Sequence, residues 1–227
     1  MLELGLKIFI SYLIGSINGA LLLGRLRGID IRKQGSGNAG GTNALRTQGK
    51  TFAVFVMIVD IGKGVLPLLI LPGLALPGVG IDPEVSREWL TYACGLAVVV
   101  GHCYPVWFGF AGGKGAATAV GVLAVVAPQL LIPGLIAWVL VLKLFGYVGI
   151  ATIAAGLAMP LYVAVRGLPE QWPLLIFAAA MGAFVFYTHR SNVSKLMQGN
   201  YNTDVTPWLG SGKSADQAAN EQTDPVE

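Results

Sequence analysis

The chain has 227 residues, of which 54% are hydrophobic and only 12% are charged, and its mean hydropathy is +0.66. Soluble domains carry about 25% charged residues, so this composition excludes an ordinary soluble domain and indicates a polytopic membrane protein. The net charge of +3 is small, and its placement along the chain is more informative than its size. The two cysteines form neither a disulfide framework nor a C-x-x-C metal motif.

Seven apolar stretches predict an all-α transmembrane helix bundle with seven spans. They are residues 4–23, 51–71, 89–101, 116–131, 133–145, 149–165 and 172–187. Several are shorter than the ~20 residues that a simple span needs, so hydropathy alone allows five to seven spans. We predict one transmembrane domain over residues 1–210, followed by a disordered polar tail over residues 211–227.

Basic residues are concentrated in the segment that follows the first apolar stretch, which holds six of them against the single acid Asp30. An excess of lysine and arginine in short loops marks the cytoplasmic side of a membrane protein. This bias predicts an outside N-terminus. It places four segments in the cytoplasm, namely residues 25–50, 102–115, 144–148 and 188–227.

The first glycine loop, residues 35–43, has the composition of a phosphate-binding loop. Its glycines permit positive φ and bring backbone N–H groups close to a bound anion. Arg46 follows, and its planar guanidinium fits phosphate bidentately. The predicted ligands are Ser36, Gly37, Asn38, Thr42, Asn43 and Arg46. A flexible Gly/Ser/Asn linker is the alternative.

The residues Gly49-Lys50-Thr51 imitate the end of a nucleotide-binding P-loop. That motif needs a glycine where Ala44 stands, and it needs a preceding strand that the sequence does not predict. A Walker-type nucleotide site is therefore rejected.

The second glycine loop, residues 112–115, likewise combines glycines with a basic residue, Lys114. Gly112 and Gly113 precede the lysine, and Thr118 follows in the next helix. Glycines and a lysine before a helix N-terminus predict an anion site, although a tight turn with a lipid-facing lysine is also consistent. His102 lies just before this loop and could donate a hydrogen bond, move a proton or simply pack at the interface.

Two further pairs of polar residues have helical spacing. His189 and Asn192 follow the last apolar stretch and share one helix face. Asp60 and Lys63 lie inside the second stretch, where ionisable groups are rare and usually face the bundle interior. Their i, i+3 spacing predicts an ion pair, and both a packing role and a substrate role remain open.

Activated-serine chemistry is disfavoured because no Ser-His-Asp set or carboxylate pair can be assembled on the cytoplasmic side. The H-x-x-x-x-D spacing of another acyltransferase class is also absent: Trp107 and Ser194 stand five residues after the two histidines. Two anion loops instead indicate two phosphate groups or one bridging group.

The sequence resembles the three motifs of the bacterial membrane acyltransferase family that uses acyl-phosphate and glycerol 3-phosphate. The resemblance lies in residues 35–46, 101–118 and 189–192, with support from 30–32 and 60–64, and it runs from about residue 14 to 199. The chain departs from the family pattern at Asn18 (usually Pro), Gly41 (Ala), Ala111 (Lys), Lys195 (Arg) and Tyr201 (Glu).

The resemblance implies seven spans in the bacterial cytoplasmic (inner) membrane and an active site on the cytoplasmic side. It implies transfer of a fatty acyl group from acyl-phosphate to the 1-hydroxyl of glycerol 3-phosphate, giving lysophosphatidic acid and phosphate for phospholipid synthesis. Acyl-CoA and acyl carrier protein are not expected as direct donors. The expected partners are both substrates, the lipid bilayer and an upstream acyl-phosphate-forming enzyme. No cofactor, metal or nucleic acid is expected.

On this interpretation the catalytic residues are His102, Lys114 and His189, and the substrate ligands are Ser36, Gly37, Asn38, Thr42, Asn43, Arg46, Gly112, Gly113, Thr118 and Asn192. The second loop holds the leaving phosphate or the oxyanion, and His189 with Asn192 orients glycerol 3-phosphate. Either His102 or a substrate phosphate takes the proton. The alternatives are a membrane transporter of phosphate or another small anion, and a structural subunit that binds anionic lipid.

Overall fold

The computed structural model describes residues 1–167 and 169–199, so the predicted tail over 211–227 lies outside the described residues. The described chain is helical. Its α-helices are α1 Leu2–Gly15, α2 Gly19–Leu26, α3 Gly41–Ile70, α4 Arg87–Cys103, α5 Ala116–Val126, α6 Leu131–Phe145, α7 Val148–Arg166 and α8 Trp172–Met197. An isolated bridge between Leu76 and Gly80 is the one β-contact within these residues. The prediction of an all-α membrane protein is confirmed.

Every predicted apolar stretch corresponds to a helix, but not every helix is long enough to span. Five helical segments of the described chain pass by length and composition, or six if the bent pair of α1 and α2 counts as one span. The apolar helix α5 is shorter, at 11 residues. The count of seven spans stays a prediction.

The chain forms two compact units, Met1–Leu131 and Ile132–Glu227. The first contains α1 to α5 and both glycine loops, whereas the second contains nearly all of α6 together with α7 and α8. The single domain over residues 1–210 remains a prediction.

Glycines let α1 and α4 approach closely in the first unit. A Cβ on Gly15 would lie 2.8 Å from the Val98 backbone, and one on Gly101 would lie 2.8 Å from Ser16 N. Small residues at such contacts are how helices pack tightly in lipid. Gly15 thus has the packing role that its position in an apolar stretch predicts.

A buried ionic cluster, not predicted from the sequence, joins the start of α1 to the start of α4. Glu3 accepts hydrogen bonds from Lys7 and Arg87, both at 2.6 Å, and the two cations also donate to Pro72 O. Glu3 and Lys7 are almost fully buried, and mutual pairing offsets the cost of removing their charges from water.

The helix α3 is bent at Gly49, whose φ of 82° and ψ of 177° are not helical. Gly41 packs against Met57, because a Cβ on this glycine would lie 2.6 Å from Met57 Sδ. In a straight helix these residues would be about 24 Å apart. The first turns of α3 therefore fold back along its main segment and carry the first glycine loop towards the middle of that helix.

In the second unit α7 packs on α8 through paired glycines. A Cβ on Gly182 would overlap Gly156 O, and one on Gly149 would overlap the side chain of Asn192. Trp138 of α6 donates to Thr152 Oγ1 of α7 at 3.3 Å. The contact between Gly149 and Asn192 thus fixes the position of Asn192 against α7.

Candidate active site

The first glycine loop is shaped by Asn43, which projects back from the first turn of α3. Its Oδ1 accepts the N–H of Ser36 at 2.9 Å. Its Nδ2 donates to Ile31 O at 3.2 Å and to Gln34 O at 3.0 Å. Both amide hydrogens thus bind the segment just before the loop, and the residue is only 1% exposed. These contacts make Asn43 a loop-shaping residue and give no support to the prediction that it contacts substrate directly.

Both glycine loops end at a helix N-terminus that is capped by glycine. Gly40 precedes α3, and Gly115, with φ of 86°, precedes α5. Neither helix has a side-chain cap within the described chain. The first N–H groups of an α-helix have no partner inside the helix, so these two N-termini can bind anions.

The predicted side chains surround the first of these N-termini. Ser36, Thr42 and Arg46 are exposed, and Asn38 is half-buried. Gly37 has a φ of 75°, a conformation that favours glycine. Hydroxyl, amide and guanidinium groups at an uncapped helix start form a suitable environment for a phosphate.

The second glycine loop folds back onto the end of α4. Gly112 N donates to Cys103 O at 3.0 Å, and Gly113 N donates to His102 O at 3.2 Å. A Cβ on Gly112 would lie 2.6 Å from Pro105 Cδ, so no larger residue fits without movement. Lys114 follows, half-buried, at the start of α5.

The two glycine loops meet. The side chain of Asn18 donates to Ala39 O of the first loop at 3.1 Å and to His102 O beside the second at 3.4 Å. A Cβ on Gly113 would lie only 2.6 Å from Ala39 O. The structure therefore brings together the two loops that are predicted to bind anions, which are about 70 residues apart in sequence.

Arg32 forms a second connection between the loops. Its guanidinium pairs with Asp30 at 2.9 Å and donates to Phe108 O at 2.9 Å and to Ala111 O at 3.1 Å. Arg32 lowers the pKa of Asp30, and Asp30 in turn raises the pKa of Arg32. The two hydrogen bonds to Phe108 O and Ala111 O hold the segment before the first loop against the segment before the second, and the ion pair with Asp30 orients Arg32.

A buried charged cluster lies under the meeting point of the loops. Lys63 contacts Asp60 Oδ1, His102 Nδ1 and Ile17 O, each at 2.9 Å. Asp60 Oδ1 also accepts the N–H of Gly19 at 3.0 Å. The predicted Asp60–Lys63 ion pair is confirmed, and it contacts the predicted catalytic His102, which is 2% exposed.

Thr118 is fully buried, and its observed packing is with α3. A Cβ on Gly64 would lie against the carbonyl of Thr118. Its hydroxyl has no hydrogen-bond partner among the described residues. The direct substrate contact predicted for Thr118 finds no support in its observed contacts.

His189 and Asn192 lie on α8 in the second unit. His189 is 5% exposed, and its Nδ1 lies 2.9 Å from Val185 O, which can only accept. Nδ1 must therefore carry a proton. Asn192 is half-buried against Gly149. The local arrangement within this unit has the two side chains three residues apart on one helix, as predicted.

Three connecting residues were missed as site components. Asn18 could have been suspected as an amide inside an apolar stretch. Arg32 appeared as one of several basic residues and within the segment 30–32 that supports the family resemblance, but it had no assigned role. Lys63 was predicted to pair with Asp60, but its contact with His102 joins different helices and has no local sequence signal.

The fold and the site define a polytopic helical membrane protein in which two glycine-capped helix N-termini adjoin. Comparisons with known proteins agree with this class. Residues 5–199 match the model of the glycerol-3-phosphate acyltransferase family, and the chain belongs to that family.

The relatives match along nearly their whole length. The glycerol-3-phosphate acyltransferase of Aquifex aeolicus is 40% identical over 199 residues, which is 88% of this chain and 97% of the relative. The enzyme of Synechococcus elongatus is 43% identical over 191 residues, covering 84% and 89%.

Two crystal structures of the integral membrane glycerol 3-phosphate acyltransferase PlsY share this fold. Its glycerol 3-phosphate form has a TM-score of 0.74 and 37% identity. Its lysophosphatidic acid form has a TM-score of 0.72 and 36% identity. Each match covers 88% of this chain and 94% of the solved chain.

Proposed function

We propose that this protein transfers a fatty acyl group from acyl-phosphate to the 1-hydroxyl of glycerol 3-phosphate, releasing phosphate and lysophosphatidic acid. The observation that carries this proposal is the meeting of two glycine-capped helix N-termini, linked by Asn18 and Arg32. Both substrates carry a phosphate, and two adjoining anion sites can hold the two reacting molecules side by side.

The reaction needs positioning more than activation. The glycerol hydroxyl oxygen attacks the acyl carbonyl carbon and forms the ester bond, while the bond from that carbon to the phosphate oxygen breaks. The hydroxyl proton ends on the released phosphate, so the step balances without an added reagent. Holding the reactants together can supply about 7–11 kcal/mol of the barrier, and oriented N–H groups stabilise charge that develops on the carbonyl oxygen.

The residue roles follow from the geometry of each segment. Arg46, Ser36 and the N-terminus of α3 would bind one phosphate. Lys114 and the backbone of residues 112–115 would bind the other phosphate or the oxyanion. His189 and Asn192 remain the proposed ligands that orient glycerol 3-phosphate. Because the reaction consumes acyl-phosphate, an upstream enzyme that forms it is a proposed functional partner.

The transporter alternative has less support. In the Asp60–Lys63 pair, Lys63 Nζ contacts His102 and Ile17 O, and Asp60 Oδ1 accepts from Gly19 N. The pair thus has the contacts expected of a structural cluster. Uptake of labelled phosphate into proteoliposomes that lack acyl donor would favour the transporter.

The proposed location is the bacterial inner membrane, with the active site on the cytoplasmic side. The exposed residues Lys33 and Glu84 test this orientation, because Lys33 lies beside the first glycine loop and Glu84 lies in the loop between α3 and α4. Native Cys94 and Cys103 are buried and give a low background. In intact spheroplasts a membrane-impermeant thiol reagent should label Glu84→Cys and spare Lys33→Cys. The reverse pattern would contradict the orientation.

The reaction is tested with purified, folded protein, acyl-phosphate and labelled glycerol 3-phosphate. We expect labelled lysophosphatidic acid and one phosphate released per acyl group transferred. Absence of this product, in the same detergent in which the protein remains folded and monodisperse, would overturn the proposed function.

A further inference from the structure

We propose that Lys63 is a positioning residue that fixes His102 as the tautomer with its proton on Nε2. In this tautomer His102 donates a hydrogen bond at the junction of the glycine loops, and it is not the base. This inference rests on the proposed function for its kinetic consequence. The tautomer itself is a property of the protein without substrate.

The contacts of Lys63 account for all its donors. A lysine ammonium has three N–H groups and no acceptor. Three acceptors lie 2.9 Å from Nζ: Ile17 O, Asp60 Oδ1 and His102 Nδ1. With one N–H directed to each, the contact with the histidine requires that Nδ1 present its lone pair.

The competing arrangement places a proton on Nδ1, which also lies 3.3 Å from Asp60 Oδ1. Nδ1–H would then face the Lys63 ammonium at 2.9 Å, donor against donor. The contact with Lys63 is the shorter one, and it pairs the ammonium with an acceptor. This geometry places the proton on Lys63 and leaves Nδ1 as acceptor.

The other ring nitrogen faces the functional loops. A Cβ built on Gly113 would overlap His102 Nε2 and would lie 2.6 Å from Ala39 O. Nε2 therefore sits where the first and second glycine loops meet. In the neutral ring whose Nδ1 accepts, Nε2 must carry the hydrogen. His102 thus adds a donor to an environment already built for anions, and it cannot take the hydroxyl proton through this nitrogen.

The two histidines of the chain are then opposite tautomers. His189 donates from Nδ1 to Val185 O, whereas His102 accepts at Nδ1 from Lys63. A histidine with Nδ1–H keeps its lone pair on Nε2. Nε2 of His189 can therefore accept a proton, whereas Nε2 of His102 cannot. This reverses the assignment of His102 as the proton-transfer residue.

The test is nitrogen NMR of the purified protein labelled with ¹⁵N-histidine. Ring nitrogens with and without a proton resonate at well-separated frequencies, and a His189→Gln variant assigns the two sets of signals. We expect a bare Nδ1 and a protonated Nε2 for His102, and the reverse for His189. A protonated Nδ1 in His102 would overturn the proposal, whether or not the protein shows acyltransferase activity.

Lys63→Met tests the cause. With the ammonium gone, Asp60 becomes the polar neighbour of Nδ1, and His102 should move its proton to that nitrogen. We expect kcat/KM to fall roughly ten- to hundredfold, by analogy with the loss of groups that orient metal-ligating histidines. An unchanged tautomer, or kcat/KM within threefold of wild type, would contradict the role of Lys63.

Lys7→Met is the matched control. Lys7, like Lys63, is a buried lysine that pairs with a carboxylate of its own helix. It lies eight residues before Gly15, the last residue of α1, so the two residues are about 12 Å apart along the helix. The Lys7→Met variant should lose stability while keeping both histidine spectra and the wild-type kcat/KM per folded enzyme. If Lys63→Met does not fold, the wild-type spectrum still decides the proposal.

Discussion

Replacing Gly113 with alanine tests the contact between the two glycine loops. The new Cβ would overlap His102 Nε2 and lie 2.6 Å from Ala39 O. Ordinary contacts begin at 3.4 Å, so the His102 ring must shift and one backbone must move by about 0.8 Å to relieve the Ala39 contact. A misplacement of about 1 Å can cost about a hundredfold in rate. We expect kcat/KM for Gly113→Ala to fall roughly 30- to 100-fold, or about 2–2.7 kcal/mol.

The assay is the initial rate with acyl-phosphate and glycerol 3-phosphate, varied one at a time, with folding checked by thermal unfolding in the same detergent. Gly62→Ala is the matched control, because its Cβ would meet no atom within 4 Å and alanine favours the helix. The control should retain wild-type kinetics. A folded Gly113→Ala protein with wild-type kcat/KM would refute the close approach of the loops.

Two other substitutions probe single contacts. Arg46→Lys keeps the charge but loses the bidentate fork. We expect transition-state stabilisation to fall by about 1.5–3 kcal/mol, which is roughly tenfold or more in kcat/KM measured at subsaturating glycerol 3-phosphate. Wild-type rates would remove Arg46 from the site. Arg32 lowers the pKa of Asp30. The ionised carboxylate therefore stabilises the fold at pH values above the ordinary pKa of aspartate, and this stabilisation is lost as the pH falls through the lowered pKa of Asp30. Thermal unfolding should therefore show wild type more stable than Asp30→Asn at pH 7, with the difference shrinking below about pH 4; a constant difference would exclude the ion pair as its cause.

Composition and hydropathy were sufficient to predict the helical membrane class, because apolar stretches must become helices when the bilayer leaves no partner for open backbone groups. The second glycine loop was predictable as a segment that precedes a helix, whereas the anion-binding role of both loops stays a prediction. Asp60 and Lys63 were predicted to pair because helical spacing alone brings them together.

Contacts between distant segments could not be predicted from local patterns. The bend at Gly49 returns the first glycine loop to Met57, and hydropathy gives no sign of such a reversal. The link from Lys63 to His102 depends on how α3 packs beside α4. Asn43 is predicted as a ligand because its amide suits phosphate, and nothing in the local sequence indicates its three hydrogen bonds to Ser36, Ile31 and Gln34.

The most direct test of the account compares acyl donors. Purified protein is supplied with glycerol 3-phosphate and with acyl-phosphate, acyl-CoA or acyl carrier protein bearing the same acyl chain, and lysophosphatidic acid is measured over time. The account predicts product from acyl-phosphate alone, because the proposed site would hold an already activated donor and glycerol 3-phosphate by their phosphates in two loops. Product formed faster from acyl-CoA or acyl carrier protein than from acyl-phosphate would contradict it.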